Sequence, residues 1–305
     1  MNQRFADEGG FSHVLAVVLV VVVAAVGFVG WRVAAGSGTK KAVGSTSITP
    51  TNAPKSATTT KVATKQKEAD SASTIDNPQK VVTKDGKQYF YYGAPAGQNN
   101  ASPKKILITL HGTEGSAEKD YEIWKPFIKE TKFALASLNW WDGSGDKTTD
   151  YSTPESMSSQ IQEFLSSQGY AQSDLVVFEG FSRGSANSYS VVANDRASSN
   201  PVIDVAVSSS GGVETSYYNL TTKAVSAQQQ AKIFTGVYWI LACGGKDPNP
   251  TRDGCAVMET SKTFVSGKGA TVLGILSDPN GGHGALTTSS LNLTKQMFDL
   301  ISTKF

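Results

Sequence analysis

Histidine is scarce in this sequence: His13, His111 and His283 are the only three in 305 residues. Any chemistry that needs a base with a pKa near neutrality therefore has very few places to go. Cysteine is scarcer, with Cys243 and Cys255 alone. Two thiols cannot complete a zinc site, and no other cluster with metal-ligand spacing accompanies them, so no metal and no cofactor is expected. Charge of one sign is also lacking. The net charge is +2, and six lysines against Glu68 and Asp70 between residues 36 and 75 leave 76–305 slightly acidic. That balance offers no electrostatic footprint for nucleic acid. Internal repeats are absent, and no aromatic residue occurs between Trp31 and Tyr89.

What is present near the start is a long apolar run. Phe11 to Gly30 contains no Asp, Glu, Lys or Arg and is followed by Trp31-Arg32. About 20 such residues suffice to span a bilayer as a helix. The expected organisation is a short segment at 1–10, a membrane span or signal-anchor at 11–31, a flexible Ser/Thr/Lys-rich linker at 32–75, and a folded domain at 76–305. A cleaved secretory leader is the alternative for the apolar run, which would make the domain secreted. The linker composition cannot bury enough apolar surface to offset its ordering entropy. Arg32, Lys40 and Lys41 after the span count against an exported domain by the positive-inside rule. The linker and the paired cysteines count for it.

From residue 76 onward, apolar β-branched runs alternate with helical patterns. Strands are expected at 88–92, 105–110, 133–138, 175–180, 201–208, 233–242 and 271–276. Helices are expected at 117–132, 153–168, 185–196, 255–266 and 290–302. Near-continuous apolar strands separated by helices predict an α/β fold with a mostly parallel central sheet covered by helices on both faces. Polar, glycine-rich clusters follow the strands, where sites assemble in such sheets.

One of those clusters stands out. Leu175 to Phe178 reads as a buried strand running into Gly180-Phe181-Ser182-Arg183-Gly184, with a helix after it. Strand, G-x-S-x-G and helix form a nucleophile elbow, in which a sharp turn holds the serine hydroxyl out above the sheet. Glycines on either side let strand and helix pass closely. The N–H of Arg183, at the start of the helix, would then favour an oxyanion. A serine nucleophile needs a base. His13 lies in the apolar run and His111 in a His-Gly pair just after a strand, which leaves His283 in a glycine-rich loop after the last strand. An acid should orient that base from the preceding strand end. Asp247 is placed for this, with Asp253 and then Asp278 as competitors. Cys243 and Cys255 bracket Asp247 and are expected to form a disulfide in an exported domain. His111-Gly112-Thr113 offers a second oxyanion donor in the N–H of Thr113, with His111 itself structural.

Residues from about 87 to 305 resemble the α/β-hydrolase superfamily. The resemblance rests on His111-Gly112 after an early strand, on Gly180-Phe181-Ser182-Arg183-Gly184, and on Gly282-His283-Gly284 after the last strand. The order Ser182, Asp247, His283 is similar to that family's nucleophile, acid and base. The resemblance implies a serine hydrolase working through an acyl-enzyme, and in size and loop style it is similar to small secreted esterases. A small-molecule or polymer ester is the expected partner, with the membrane bound through the N-terminal helix and no nucleic acid. The alternatives are a serine peptidase on the same scaffold and an inactive surface binding domain. Trp140, Trp141 and Tyr151, in a loop at the same sheet end as Ser182, are candidates for stacking on substrate or for packing the loop. Asp142, Asp146 and Asp150 read as solvated loop charges.

Overall fold

In the computed structural model, residues 73–98, 103–143, 150–213 and 231–305 are described. The segment 1–10, the span expected at 11–31 and the linker up to residue 72 lie outside the described residues, as does Asp146. Among the described residues no helix is long and apolar enough to cross a membrane.

Eight strands form one sheet: β1 (Gln79–Val82), β2 (Tyr89–Gly93), β3 (Lys105–Leu110), β4 (Ala134–Asn139), β5 (Leu175–Phe181), β6 (Val205–Ser209), β7 (Tyr238–Gly244) and β8 (Thr271–Asp278). Their spatial order is β1-β2-β4-β3-β5-β6-β7-β8. β1 and β2 join antiparallel at one edge, and β4, β3, β5, β6, β7 and β8 are parallel neighbours. The mostly parallel sheet expected from the sequence is therefore present, with β5 near its middle.

Among the described residues six helices accompany it: α1 (Ala117–Lys129), α2 (Pro154–Ser167), α3 (Arg183–Ala197), α4 (Cys255–Gly267), α5 (Ala285–Thr288) and α6 (Leu293–Ser302). Alternation along the strands divides the core in two. Ile106, Ile108, Leu110, Val176 and Phe178 face α2, α3 and α4, packing with Met157, Ile161, Tyr189 and Met258. Leu107, Leu135, Val177, Val207 and Ile240 face the other side, packing with Tyr121, Trp124 and Ile128 of α1 and with Leu293, Met297 and Ile301 of α6. Both faces of the sheet are thus covered, as its apolar strands require.

Local signals explain most element boundaries. Thr153 caps α2, its hydroxyl accepting the Ser156 N–H at 3.3 Å, with Pro154 at the first position. Gly169, at φ 71°, ends the same helix. Ser116 caps α1 in the same manner, ahead of a stripe of Ala117, Tyr121, Trp124 and Ile128 that is buried on the sheet.

Five strand and helix expectations need correction, two of them simply at a boundary: the helix expected at 117–132 ends at Lys129 and the one expected from 290 begins at Leu293. The strand expected from residue 233 begins only at Tyr238, because Ile233 and Phe234 are buried within a run of turns closed by Gly236 at φ 85°. Burial without extended backbone gave the same apolar pattern as a strand. The strand expected from Pro201 begins at Val205, since the Asp204 carboxylate accepts the Val176 N–H at 2.9 Å where a ladder carbonyl would sit. The helix after the elbow starts two residues earlier than expected, at Arg183. β1 and α5 are short and were not anticipated. Ordered packing also reaches back past residue 76, because Ile75 is buried and its carbonyl accepts the Tyr121 hydroxyl at 3.1 Å.

Cys243, at the end of β7, is bonded to Cys255, at the start of α4, across a sequence separation of 12. This is the expected disulfide, and it closes the loop that carries Asp247. Constraining a loop of that length in the unfolded chain contributes about 3 kcal/mol in the chain-entropy model. Replacing both cysteines with alanine is expected to lower the unfolding free energy by about that amount. Urea titration of the oxidised parent and the double variant measures it, and equal midpoints would show that the loop is pinned by other contacts.

Candidate active site

The site begins with a backbone collision avoided. A Cβ on Gly180 would lie 2.5 Å from the Gly184 carbonyl oxygen, and one on Gly184 would lie 2.9 Å from the His111 carbonyl oxygen. Only glycine at both positions lets β5, α3 and the end of β3 converge. The turn between them places Ser182 at φ 54° and ψ −113°, a region that residues with a side chain rarely occupy. Two hydrogen bonds hold it there, from the Ser182 N–H to the Ser209 carbonyl at 2.8 Å and from the Ala186 N–H to the Ser182 carbonyl at 3.0 Å.

His283 follows β8 in Gly281-Gly282-His283-Gly284 and remains partly exposed. Its Nε2 lies 2.8 Å from the Ser182 Oγ, and its Nδ1 lies 2.7 Å from the Asp247 Oδ2. A carboxylate can only accept, so the ring proton on that side belongs on Nδ1 and Nε2 is left to accept from the serine hydroxyl. The Asp247 side chain is fully buried. Its second oxygen accepts the Asn249 N–H at 2.8 Å, so both oxygens are engaged.

Of the two competing acids, Asp253 is close. Its Oδ2 lies 3.9 Å from His283 Nδ1, beyond hydrogen-bond reach, and Arg252 grips the carboxylate through Nε and a terminal nitrogen at 2.6–3.0 Å. Asp278 is turned elsewhere, accepting from Ser289 at 2.6 Å and from the Asn280 N–H at 2.8 Å. Asp247, Asp253 and His283 are also the one group of three potential metal ligands among the described residues, within 4.8 Å of one another. Their donor atoms are committed to the hydrogen bonds and the ion pair just described.

Above Ser182 opens a cleft of about 430 Å³, lined among others by Gly112, Thr113, Lys119, Phe181, Arg252 and His283. Gly112 lies against the elbow, and a Cβ there would come within 3.2 Å of the Ser182 Cβ. Thr113 is thereby exposed at the cleft beside Ser182, and Arg183 is the first residue of α3, which has no side-chain cap. His111 is buried, and its Nδ1 is 2.8 Å from the Gly112 carbonyl. Burial pushes its pKa down to about 4, so it is neutral above that pH and holds the loop, as expected of a structural histidine.

Trp140 requires a correction. It is 1% exposed, and its indole Nε1 donates to the His111 carbonyl at 3.2 Å, so it belongs to the core and cannot stack on a substrate. Trp141 and Tyr151 are half-buried, pair across a β-bridge, and stack with ring centroids 6.0 Å apart. Asp150, read from the sequence as solvated, is buried.

Two acids under the cleft were not anticipated. Thr109, Ser137 and Glu179 stand in one row across β3, β4 and β5, facing α1. Thr109 donates to the Asp120 carboxylate of α1 and lies 2.7 Å from the Ser137 hydroxyl. Glu179 is 1% exposed, and its Oε2 has no hydrogen-bond partner. The signals were available, since Glu179 interrupts an apolar strand and Asp120 falls on the buried stripe of α1. Burial raises the Asp120 carboxyl to about 6, and burial followed by the nearby Asp120 raises Glu179 well above the usual range.

The fold and this arrangement define a class: the chain has the α/β-hydrolase fold. Solved structures with the same fold include Est1E from Butyrivibrio proteoclasticus bound to ferulic acid, at 16% identity and TM-score 0.50, covering 73% of this chain and 99% of that one. A thermophilic esterase, Est2 from Thermogutta terrifontis, matches at 13% identity and TM-score 0.54, covering 75% and 91%. The Pyrococcus furiosus esterase Pf2001 matches at 13% identity and TM-score 0.53, covering 74% and 89%. No protein-family model matches the chain, and no curated protein matches it in sequence.

The buried acids generate a pH prediction. Because Asp120 binds its proton more tightly folded than unfolded, stability falls as pH rises from about 4 to about 6. Glu179 adds a fall of the same sign at higher pH. Asp120→Asn removes its part of that fall, so the variant is expected to gain on the parent between pH 4.5 and pH 7. Urea unfolding across that range gives the answer, and parallel curves would contradict the assignment.

Proposed function

We propose that the chain is a serine hydrolase that cleaves carboxylic esters through Ser182, His283 and Asp247. The observation that carries this reading is the continuous hydrogen-bond path from the Ser182 hydroxyl through both imidazole nitrogens to a fully buried carboxylate. Ser182 attacks the ester carbonyl as His283 Nε2 takes its proton. Asp247 keeps the imidazole in the required tautomer and stabilises the imidazolium that forms. The N–H groups of Thr113 and Arg183 receive the developing oxyanion. Collapse returns the proton to the leaving alcohol and leaves an acyl-enzyme. Water, activated by the same imidazole, then releases the acid and restores the serine.

Two esterases of the same fold favour esters over peptides. The assembled trio of side chains speaks against an inactive binding domain, in which nothing would keep all three in register. We further propose that the domain works outside the cytoplasm, tethered through residues 11–31. The apolar run and the disulfide support that placement, because such bonds persist in oxidising compartments.

A fluorophosphonate probe tests the mechanism on the full, oxidised chain. A stoichiometric adduct on Ser182 is expected, absent in Ser182→Ala and strongly slowed in His283→Ala. No adduct on the folded protein would overturn the hydrolase reading. Turnover of a p-nitrophenyl ester separates the acids. Asp247→Asn is expected to lower kcat by about 10⁴-fold, as the wrong tautomer does in serine hydrolases. Asp253→Asn, outside hydrogen-bond reach, should cost about tenfold or less. The reverse ranking would assign the acid to Asp253.

A further inference from the structure

The segments on either side of residues 144–149 converge on the cleft from outside it. The Ser152 N–H donates to the Trp140 carbonyl at 2.8 Å, and the Asp142 N–H donates to the Asp150 carbonyl at 3.1 Å. With the Trp141–Tyr151 bridge, these bonds make a short two-stranded ladder. That ladder delivers one side chain, Tyr151, to both parts of the turn-and-loop structure around Ser182.

The Tyr151 hydroxyl accepts the Glu114 N–H at 2.8 Å, one residue past Thr113. The face of the same ring lies 4.1 Å from the Arg183 guanidinium carbon. The ring also packs, tilted, on that of Trp140 at a centroid distance of 4.6 Å, and the Trp140 indole holds the His111 carbonyl. Thr113 is thus flanked by anchored residues, His111 held by Trp140 and Glu114 held by Tyr151. Glu114 needs its anchor, because it sits at φ 56°, in the left-handed region that favours glycine. Arg183, whose N–H is the other oxyanion donor, has its side chain laid on the same phenol ring.

We propose that Tyr151 is a positioning residue for oxyanion stabilisation, fixing the spacing between the Thr113 and Arg183 amides. Of the two roles open to this tyrosine from the sequence, stacking on substrate or packing the loop, it takes up the second, and it rests on the hydrolase reading above. The hydroxyl sets the loop that carries Thr113, and the ring sets the side chain of the residue that opens α3. Amides aimed at an oxyanion lose effectiveness steeply when displaced, and a misplacement of about 1 Å can cost about 10²-fold. Tyr151 acts through them and touches no reacting atom.

The test uses the full, oxidised chain with p-nitrophenyl butyrate and an aryl trifluoromethyl ketone, whose adduct with Ser182 carries an oxyanion. Tyr151→Phe keeps the ring and removes only the hydrogen bond, so the fold survives. It is expected to lower kcat about tenfold and leave KM within about twofold. The ketone should weaken by the same factor as kcat, and the pH dependence of kcat should not move, since the imidazole and its acid are untouched. Tyr151→Leu, which also removes the ring beneath Arg183, should lower both quantities further along the same line. A parent that turns over ester, together with a Tyr151→Phe variant unchanged in kcat and ketone affinity, overturns the inference and leaves the hydrolase reading intact. So does a fall in kcat without a matching loss of ketone affinity. A parent with neither turnover nor a Ser182 adduct overturns the hydrolase reading itself.

Discussion

The backbone at Ser182 is held where a side-chain-bearing residue does not rest by choice, and the middle of the molecule is arranged around keeping it there. β5 must run straight into α3, and α3 must pass close over the end of β3, which is possible only across Gly180 and Gly184. The strain at φ 54° is offset by the parallel neighbours of β5 and by the helix that begins one residue later. A looser junction would let the serine relax into the turn, and its hydroxyl would leave the reach of His283. Core packing on both faces of the sheet is therefore what makes the half-buried hydroxyl available for chemistry.

The remaining participants are brought to that hydroxyl from separate strand ends: Gly112 and Thr113 after β3, Asp247 after β7, His283 after β8. The three loops follow three different strands, so their mutual distances report the accuracy of the whole sheet. Each arriving segment is tied by contacts of its own. The loop after β3 is gripped by Trp140 and Tyr151, the loop after β7 by a covalent bond, and the loop after β8 by backbone bonds such as that from the Lys246 N–H to the Gly281 carbonyl at 2.9 Å. Beneath them Asp120 and Glu179 are buried at a cost in stability.

Much of this was legible in the sequence because the decisive residues carry strong local constraints. The elbow announces itself through glycines that sterics demand, and scarcity of histidine made the choice of His283 nearly forced. Parallel, doubly covered strands are apolar without interruption, so the sheet could be read directly, although burial alone mimicked a strand at Ile233 and Phe234. The choice among Asp247, Asp253 and Asp278 was less legible, because it depends on tenths of nanometres between loops distant in sequence. The aromatic loop was misjudged at Trp140 for a related reason. An indole in a polar segment looks exposed until the sheet end it plugs is known. Asp120 was legible as a position on the buried stripe of α1, but the reason its carboxyl sits there is visible only from Thr109 across the interface.

The bond between Cys243 and Cys255 makes residues 243–255 a closed covalent ring, with Asp247 and Asp253 inside it. Such a ring changes what a break in the main chain means. A protease that nicks the loop anywhere between the two cysteines yields two fragments, one carrying Ser182 and the other His283, that remain a single molecule. The pieces stay aligned because β7 lies on one side of the bond and α4 on the other, each packed into the same domain. One sulfur–sulfur bond thus guarantees that a cut beside Asp247 need not part Ser182 from His283.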